Sequence, residues 1–179
     1  TPMVATARLI KQEHPDASVV FIGPCASKKL EASRRTVRSD VDFVITFEEL
    51  TGMFEAKGIL LDEIKAMDEM KDATAAGRGY GVAGGVANAI EQYYPGTPVN
   101  IQHAESLAEC KKALLLAKAG KMNGCLIEGM ACPGGCIAGA GTNIAIPVAA
   151  RAVDKFKNEA EKKVPDESVD QEMVELEKE

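Results

Sequence analysis

Two short apolar runs, each closed by a turn or cap residue and leading toward a helical pattern, constrain this chain more than any other feature. Ser18-Val-Val-Phe-Ile-Gly23 runs into Gly23-Pro24, and Asp42-Phe-Val-Ile-Thr46 runs into a helical stretch over 47–56 with Leu50 and Phe54 inward. A strand that is apolar at every position is one buried on both faces, which is the habit of parallel sheets. Parallel strands need crossover helices, so the order strand, helix, strand, helix fits. Upstream, Met3, Ala7, Ile10 and His14 recur at helical spacing before Pro15, which predicts a helix over 3–13. Downstream, the pattern predicts a helix over 85–94, a third strand over 99–103, and a helix from the N-cap Ser106 to Lys118. A fourth strand follows over 124–128, then a closing helix over 143–163 that Pro147 partly breaks. Residues 62–76 read as an acidic, Ala-rich surface connection, and 164–179 as an acidic tail. The expected fold is α/β: an open, mainly parallel sheet with flanking helices in one domain over residues 1–163.

Charge and cysteine usage narrow the chemistry. A formal charge of −6 without a basic face argues against nucleic acid, since phosphate binding needs clustered Lys and Arg. The basic residues between Lys28 and Arg38 are the local exception. No stretch approaches the ~18 apolar residues of a membrane span. The start Thr1-Pro2-Met3 has no leader pattern, so the five cysteines read as thiols of a reducing, cytoplasmic compartment rather than a disulfide framework.

The most informative stretch is Glu128-Gly-Met-Ala-Cys132-Pro-Gly-Gly-Cys136-Ile-Ala-Gly-Ala-Gly141. Two cysteines four apart follow a buried strand, among glycines. Pro133 suits the first turn of a helix, which would bring both sulfurs to one face and offer amides to an anionic cluster. Gly134 and Gly135 would let backbone approach inorganic sulfide. The competing reading is a glycine-rich turn with two thiols packed as small hydrophobes. In Gly23-Pro24-Cys25-Ala-Ser-Lys28-Lys29-Leu-Glu31, a cysteine stands at the carboxyl end of a strand, where open α/β sheets place their sites. Taken alone, Cys25 is an inert core residue and Lys28 and Glu31 a solvated helix face. Together, Cys25, Cys132 and Cys136 are three thiolates, and an iron–sulfur cluster commonly takes four.

Pro-Cys-x-x-Lys-x-x-Glu around Cys25 and Glu-x-Met-Ala-Cys-x-Gly-Gly-Cys around Cys132 resemble the second and third signature motifs of the iron-only hydrogenases. Asp42 to Leu50 and Gly81 to Val86 resemble intervening segments of the same domain, so the resemblance covers roughly residues 1–145. It implies an oxidoreductase that interconverts dihydrogen with protons and electrons on an H-cluster. In such a cluster a 4Fe-4S unit held by four cysteines shares one of them with a di-iron subcluster carrying carbon monoxide and cyanide. By the resemblance, Cys25 and Cys132 match four-iron ligands and Cys136 the bridging one. Lys28 matches the lysine that donates to a cyanide ligand, Met130 a methionine lining the di-iron pocket, and Glu31 a nearby carboxylate. The implied partners are dihydrogen, protons, and a redox partner such as ferredoxin or upstream iron–sulfur domains.

The match has gaps. The family's first motif carries two adjacent cysteines, and this sequence has no such pair. The expectation is that the chain starts after that motif and, as a fragment, binds no complete cluster and does not turn over. Gly23 stands where the family usually has methionine, and Gly139 to Thr142 departs from its glycine and glutamine run. These departures suit the alternative of a non-catalytic or sensory iron–sulfur protein of the same fold.

Other signals are weaker. Gly79-Tyr-Gly81-Val-Ala-Gly84 spells the dinucleotide fingerprint, but no strand pattern precedes it and no acidic residue follows at the required distance. Cys110, spaced with Leu107 and Leu114, reads as core, and Cys125 as a core strand residue or stand-in ligand. His14 and His103 read as surface or helix-end residues.

Overall fold

A computed structural model describes residues 1–65, 73–94, 96 and 98–164. Among these, residues 1–65 and 139–143 form one compact unit, and residues 73–138 and 144–164 form a second. Apart from Val164, the expected acidic tail lies outside the described residues, as do residues 66–72 of the expected connection.

The first unit runs α1 (Pro2–Glu13), β1 (Val20–Ile22), α2 (Ser27–Ser33), β2 (Phe43–Ile45) and α3 (Phe47–Ala56). Pro2 opens α1, where its missing amide would have had no partner. The helix buries Met3, Val4 and Ala7 against Val41, with Phe21 and Val44 packed on this core. β1 pairs with β2 in parallel, Phe21 opposite Val44. The expectation of strands buried on both faces fails here. Val20 and Ile22 are 44 % and 45 % exposed and Phe43 is 62 % exposed. A two-stranded sheet has one covered face in this unit, so an all-apolar run alternates inward and outward like any strand. α3 starts where the sequence placed it because of a full capping box. The Glu49 amide donates to Thr46 Oγ1 at 3.2 Å, and the Thr46 amide donates to Glu49 Oε2 at 2.8 Å.

The second unit contains α4 (Ala75–Arg78), α5 (Gly85–Tyr93), β3 (Asn100–Glu105), α6 (Leu107–Lys118), β4 (Cys125–Met130) and α7 (Ile146–Asn158). β3 and β4 are parallel, with His103 opposite Glu128 and Glu105 opposite Met130. The expected parallel pairing and flanking helices are present, with the four strands divided between two sheets. Three expectations need correction. Ala75 and Ala76, assigned to a surface connection, are buried at the start of α4. Pro147 does not break the last helix but opens it, occupying the first turn of α7. On α6 the side chains of Leu107 and Leu114 are 73 % and 65 % exposed, while Ala113 is the buried position. Cys110 therefore faces the strands without its two leucine neighbours.

Candidate iron–sulfur site

In the first unit the sheet ends where Gly23 donates its amide to Ile45 O at 3.1 Å. Cys25, half-buried, follows two residues later, and its carbonyl accepts from the Lys28 amide at 3.3 Å as α2 begins. One turn along, the Lys28 ammonium donates to Glu31 Oε2 at 2.5 Å, and the Thr1 hydroxyl donates to Glu31 Oε1 at 2.7 Å. Partial burial pushes the Glu31 carboxyl up, but the hydrogen bonds from Lys28 and Thr1 and the Lys28 charge outweigh it. The net result lies below the usual glutamate value. The segment after the second cysteine motif also belongs to this unit. Gly141 donates its amide to Pro24 O, beside Cys25, at 2.9 Å, and its own carbonyl accepts from Glu48 at 3.1 Å.

In the second unit β4 ends at Met130 and the chain turns at once. The Gly135 amide donates to Cys132 O at 3.0 Å, and Gly134 has φ +90°. With proline at the second position and positive φ at the third, Cys132-Pro133-Gly134-Gly135 is a type II turn. The expected helix start at Pro133 is not formed, and Cys136 instead opens a single 3-10 turn, Cys136–Ala138. Cys132 is half-buried and Cys136 exposed, one at each end of the turn. Gly135 is required by close approach, since a Cβ there would lie 2.5 Å from the Ala83 nitrogen and 2.8 Å from Gly81 O. Backbone 81–83, rather than open space for sulfide, fills its missing side chain. Ala83 donates its amide to Gly134 O at 3.1 Å, and Gly134 donates its own to Glu105 Oε2 at 3.1 Å.

A residue given no role by the sequence reading anchors this arrangement. Glu128, 8 % exposed, accepts from the backbone amides of Gly84 at 2.7 Å, Val86 at 3.0 Å and Ala87 at 3.1 Å. His103 Nδ1 lies 2.9 Å from Glu128 Oε2. Burial pushes the Glu128 carboxyl up, but the His103 hydrogen bond, the Ala87 and Gly84 amides and the histidine charge hold it below the usual value. His103 lies at the surface as expected, 47 % exposed, and is also half of this pair. The signal available in the sequence was an acidic residue inside an apolar strand, Cys125-Leu-Ile-Glu128.

The same contact disposes of the dinucleotide fingerprint. A short helix and a 3-10 turn, Gly79–Gly81, precede α5 where the motif needs a strand. The amides at the start of α5, which would cradle a pyrophosphate, are already occupied by the Glu128 carboxylate.

All five cysteines are thiols. Cys110 Sγ sits 3.6 Å from Ala104 O and 3.8 Å from Met130 O, packed against Gly129. Cys125 Sγ accepts from Asn100 Nδ2 at 3.2 Å at the opposite end of β4 from the turn. Among the described residues no three His, Cys, Asp or Glu side chains gather as one metal ion requires. The soft thiol donors on Cys25, Cys132 and Cys136 nevertheless fit an iron–sulfur cluster in kind, three of the usual four in number. No helix among the described residues is long and apolar enough to cross a membrane.

Known proteins share the fold. The fold aligns with a variant of FeFe-hydrogenase HydA1 from Chlamydomonas reinhardtii at a TM-score of 0.66 and 20 % identity, covering 96 % of this chain and 63 % of that one. It aligns with the hydrogenase HydA(deltaEFG) at a TM-score of 0.59 and 18 % identity, covering 90 % and 60 %. Cytosolic Fe-S cluster assembly factor NAR1 from Kluyveromyces lactis is 43 % identical over 53 residues, 30 % of this chain and 11 % of its own length. The chain thus spans about three fifths of the hydrogenase chains and a small part of NAR1. Residues 1–140 match the family described as iron only hydrogenase large subunit, C-terminal domain, and this chain belongs to that family.

Proposed function

We propose that this chain is the cluster-binding part of an iron-only hydrogenase, with Cys25 and Cys132 as thiolate ligands of a four-iron cluster and Cys136 as the thiolate shared with a di-iron unit. The observation that supports this best is the Gly141 amide donating to Pro24 O at 2.9 Å. Gly141 stands in the segment that continues the second cysteine motif, and Pro24 directly precedes Cys25. A four-iron cluster commonly takes four thiolates, one more than these three. The chemistry such a cofactor supplies when bound is heterolytic cleavage of dihydrogen. The chain's own residues hold and enclose it. Lys28 would donate a charge-assisted hydrogen bond to an anionic ligand, Glu31 would keep the Lys28 ammonium at the site, and Met130 would contribute an apolar wall at the strand end. Dihydrogen and protons would be the substrates, and a ferredoxin-like partner or upstream iron–sulfur domains in the cytoplasm would exchange the electrons.

The test is infrared spectroscopy of the matured full-length protein, where carbon monoxide and cyanide bands are expected. Lys28→Met removes a hydrogen bond to charge worth about 1.5 to 3 kcal/mol, so those bands are lost while the four-iron cluster, held by thiolates, survives. Lys28→Arg does not restore them, because a planar fork presents a different geometry. Unchanged bands in both variants would overturn the assignment of Lys28. The similarity to NAR1 favours a second reading, a non-catalytic iron–sulfur protein of the same fold. A full-length protein that takes up a four-iron cluster but never shows the diatomic bands would establish that reading instead.

A further inference from the structure

Glu128 begins the second cysteine motif, yet neither reading above uses it. We infer that Glu128 is a positioning residue for the cysteine pair, acting through the backbone segment 81–87. This rests on the assignment of Cys132 and Cys136 as cluster ligands. The carboxylate grips that segment at the amides of Gly84, Val86 and Ala87, four residues before Cys132. The same segment touches the turn itself. Ala83 donates to Gly134 O, and Gly135 lies so close to residues 81–83 that no side chain fits between them. The turn bearing the two thiols is therefore held against one piece of backbone from both sides: through Glu128 on the strand that enters it, and directly at its own glycines.

The arrangement also explains why a charged group is kept in an apolar strand. Fixed backbone amides have few rotamers to lose, so a carboxylate bound to three of them defines a position more sharply than a side-chain pair could. His103, directly across the parallel register, fixes the carboxylate's remaining freedom. The hydrogen bonds of Glu128 run to backbone amides and to His103. Glu128 is not a catalytic residue, and loss of its contacts displaces the turn rather than removing a ligand.

The experiment uses the full-length protein, purified anaerobically with and without iron–sulfur reconstitution. In the cluster-free form, Glu128→Gln raises the iodoacetamide alkylation rate of Cys132 about tenfold relative to Cys110 and Cys125, read by peptide mass spectrometry. His103→Gln, which leaves the amide contacts in place, raises it about threefold and serves if the first variant does not fold. In the reconstituted form, iron is lost to a chelator faster in the same order. A Cys132 rate that keeps its wild-type ratio to the other two thiols would overturn the inference. So would an equal rise at all three, which is what a purely stabilising role predicts. If wild-type protein takes up no iron while the Cys132 ratio still shifts, the positioning role stands and the cluster assignment falls.

Discussion

The two cysteine-bearing regions each keep a glutamate below its usual pKa, and they do it with different materials. Near Cys25, Glu31 is held by a lysine ammonium and a threonine hydroxyl, on side chains that are about one-fifth exposed for the ion pair. Near Cys132, Glu128 is held by three backbone amides and a histidine, with a side chain 6 % exposed. Long side chains lose rotamer entropy when they pair and are screened by salt, whereas helix-start amides are fixed by the fold itself. The Glu31 network is thus adjustable and the Glu128 network rigid. An adjustable network suits the anion-binding role proposed for Lys28, and a rigid one suits the thiol-presenting role proposed for the turn.

The largest difference is expected from removing each carboxylate. Glu128→Ala strands buried amides without acceptors and costs about 3 to 5 kcal/mol, lowering Tm by about 10 °C. Glu31→Ala is expected to cost within about 1 kcal/mol. Thermal unfolding of both variants checks this, and equal losses would erase the contrast.

A second pair of variants asks whether the glycines share it. Gly135→Ala places a methyl against backbone at φ +93°, and is expected to cost about 3 kcal/mol, because backbone 81–83 cannot step aside. Gly141→Ala in the first unit meets the Thr46 side chain, with Cβ 2.4 Å away. No rotation of the Thr46 side chain moves its Cβ, so backbone must shift and the Thr46 cap on the Glu49 amide is strained with it, a loss of about 1 to 3 kcal/mol. Urea midpoints would rank the two.

What the sequence made legible follows the same division between local and distant causes. The start of α6 was readable because Ser106 is a cap whose partner lies three residues on, and α3 from the helical spacing of Leu50 and Phe54, while its Thr46 capping box emerged only in the structure. The parallel pairing was readable from strand and helix alternation. The exposure of Val20, Ile22 and Phe43 was not, since an all-apolar run does not say how many layers cover it. The type II turn was masked by Pro133, which suits a helix start as well as the second position of a turn. The Glu128 contacts span 41 to 44 residues, so no local pattern announces them. The acidic residue in an apolar strand was the clue, and His103 opposite it became meaningful only once the β3–β4 register was known.

Acid sharpens the comparison further. Both carboxyls titrate below their ordinary value of 4.5 in the folded chain, so the unfolded chain binds more protons in that range. Their stabilisation is complete above the ordinary value and is lost as pH falls from about 4.5 through the lowered folded values. Urea unfolding between pH 6 and 3 is expected to show a loss that Glu128→Gln flattens more than Glu31→Gln does. A steeper contribution from Glu31 would reverse the ranking of the two networks.

The smallest effect expected is the coupling between Lys28 and Glu31, and salt decides whether it is as adjustable as its exposure implies. The Debye length falls from about 10 Å at 0.1 M salt to about 3 Å at 1 M, which screens a partly exposed pair and leaves amide contacts to a buried carboxylate almost untouched. A double-mutant cycle with Lys28→Met and Glu31→Gln isolates the pair from what each side chain does alone. The coupling is expected near 0.5 to 1 kcal/mol in low salt, within the range of exposed ion pairs, and reduced by about half in high salt. The same cycle on His103→Gln and Glu128→Gln is expected to fall with salt too, because the His103 side chain is 47 % exposed, while the three amide contacts to the desolvated carboxylate are left almost untouched. A Lys28–Glu31 coupling above about 2 kcal/mol that ignores salt would place this pair in the rigid class too. Lys28 would then be locked to Glu31 and unable to turn toward a bound anion, which would weigh directly against its proposed role.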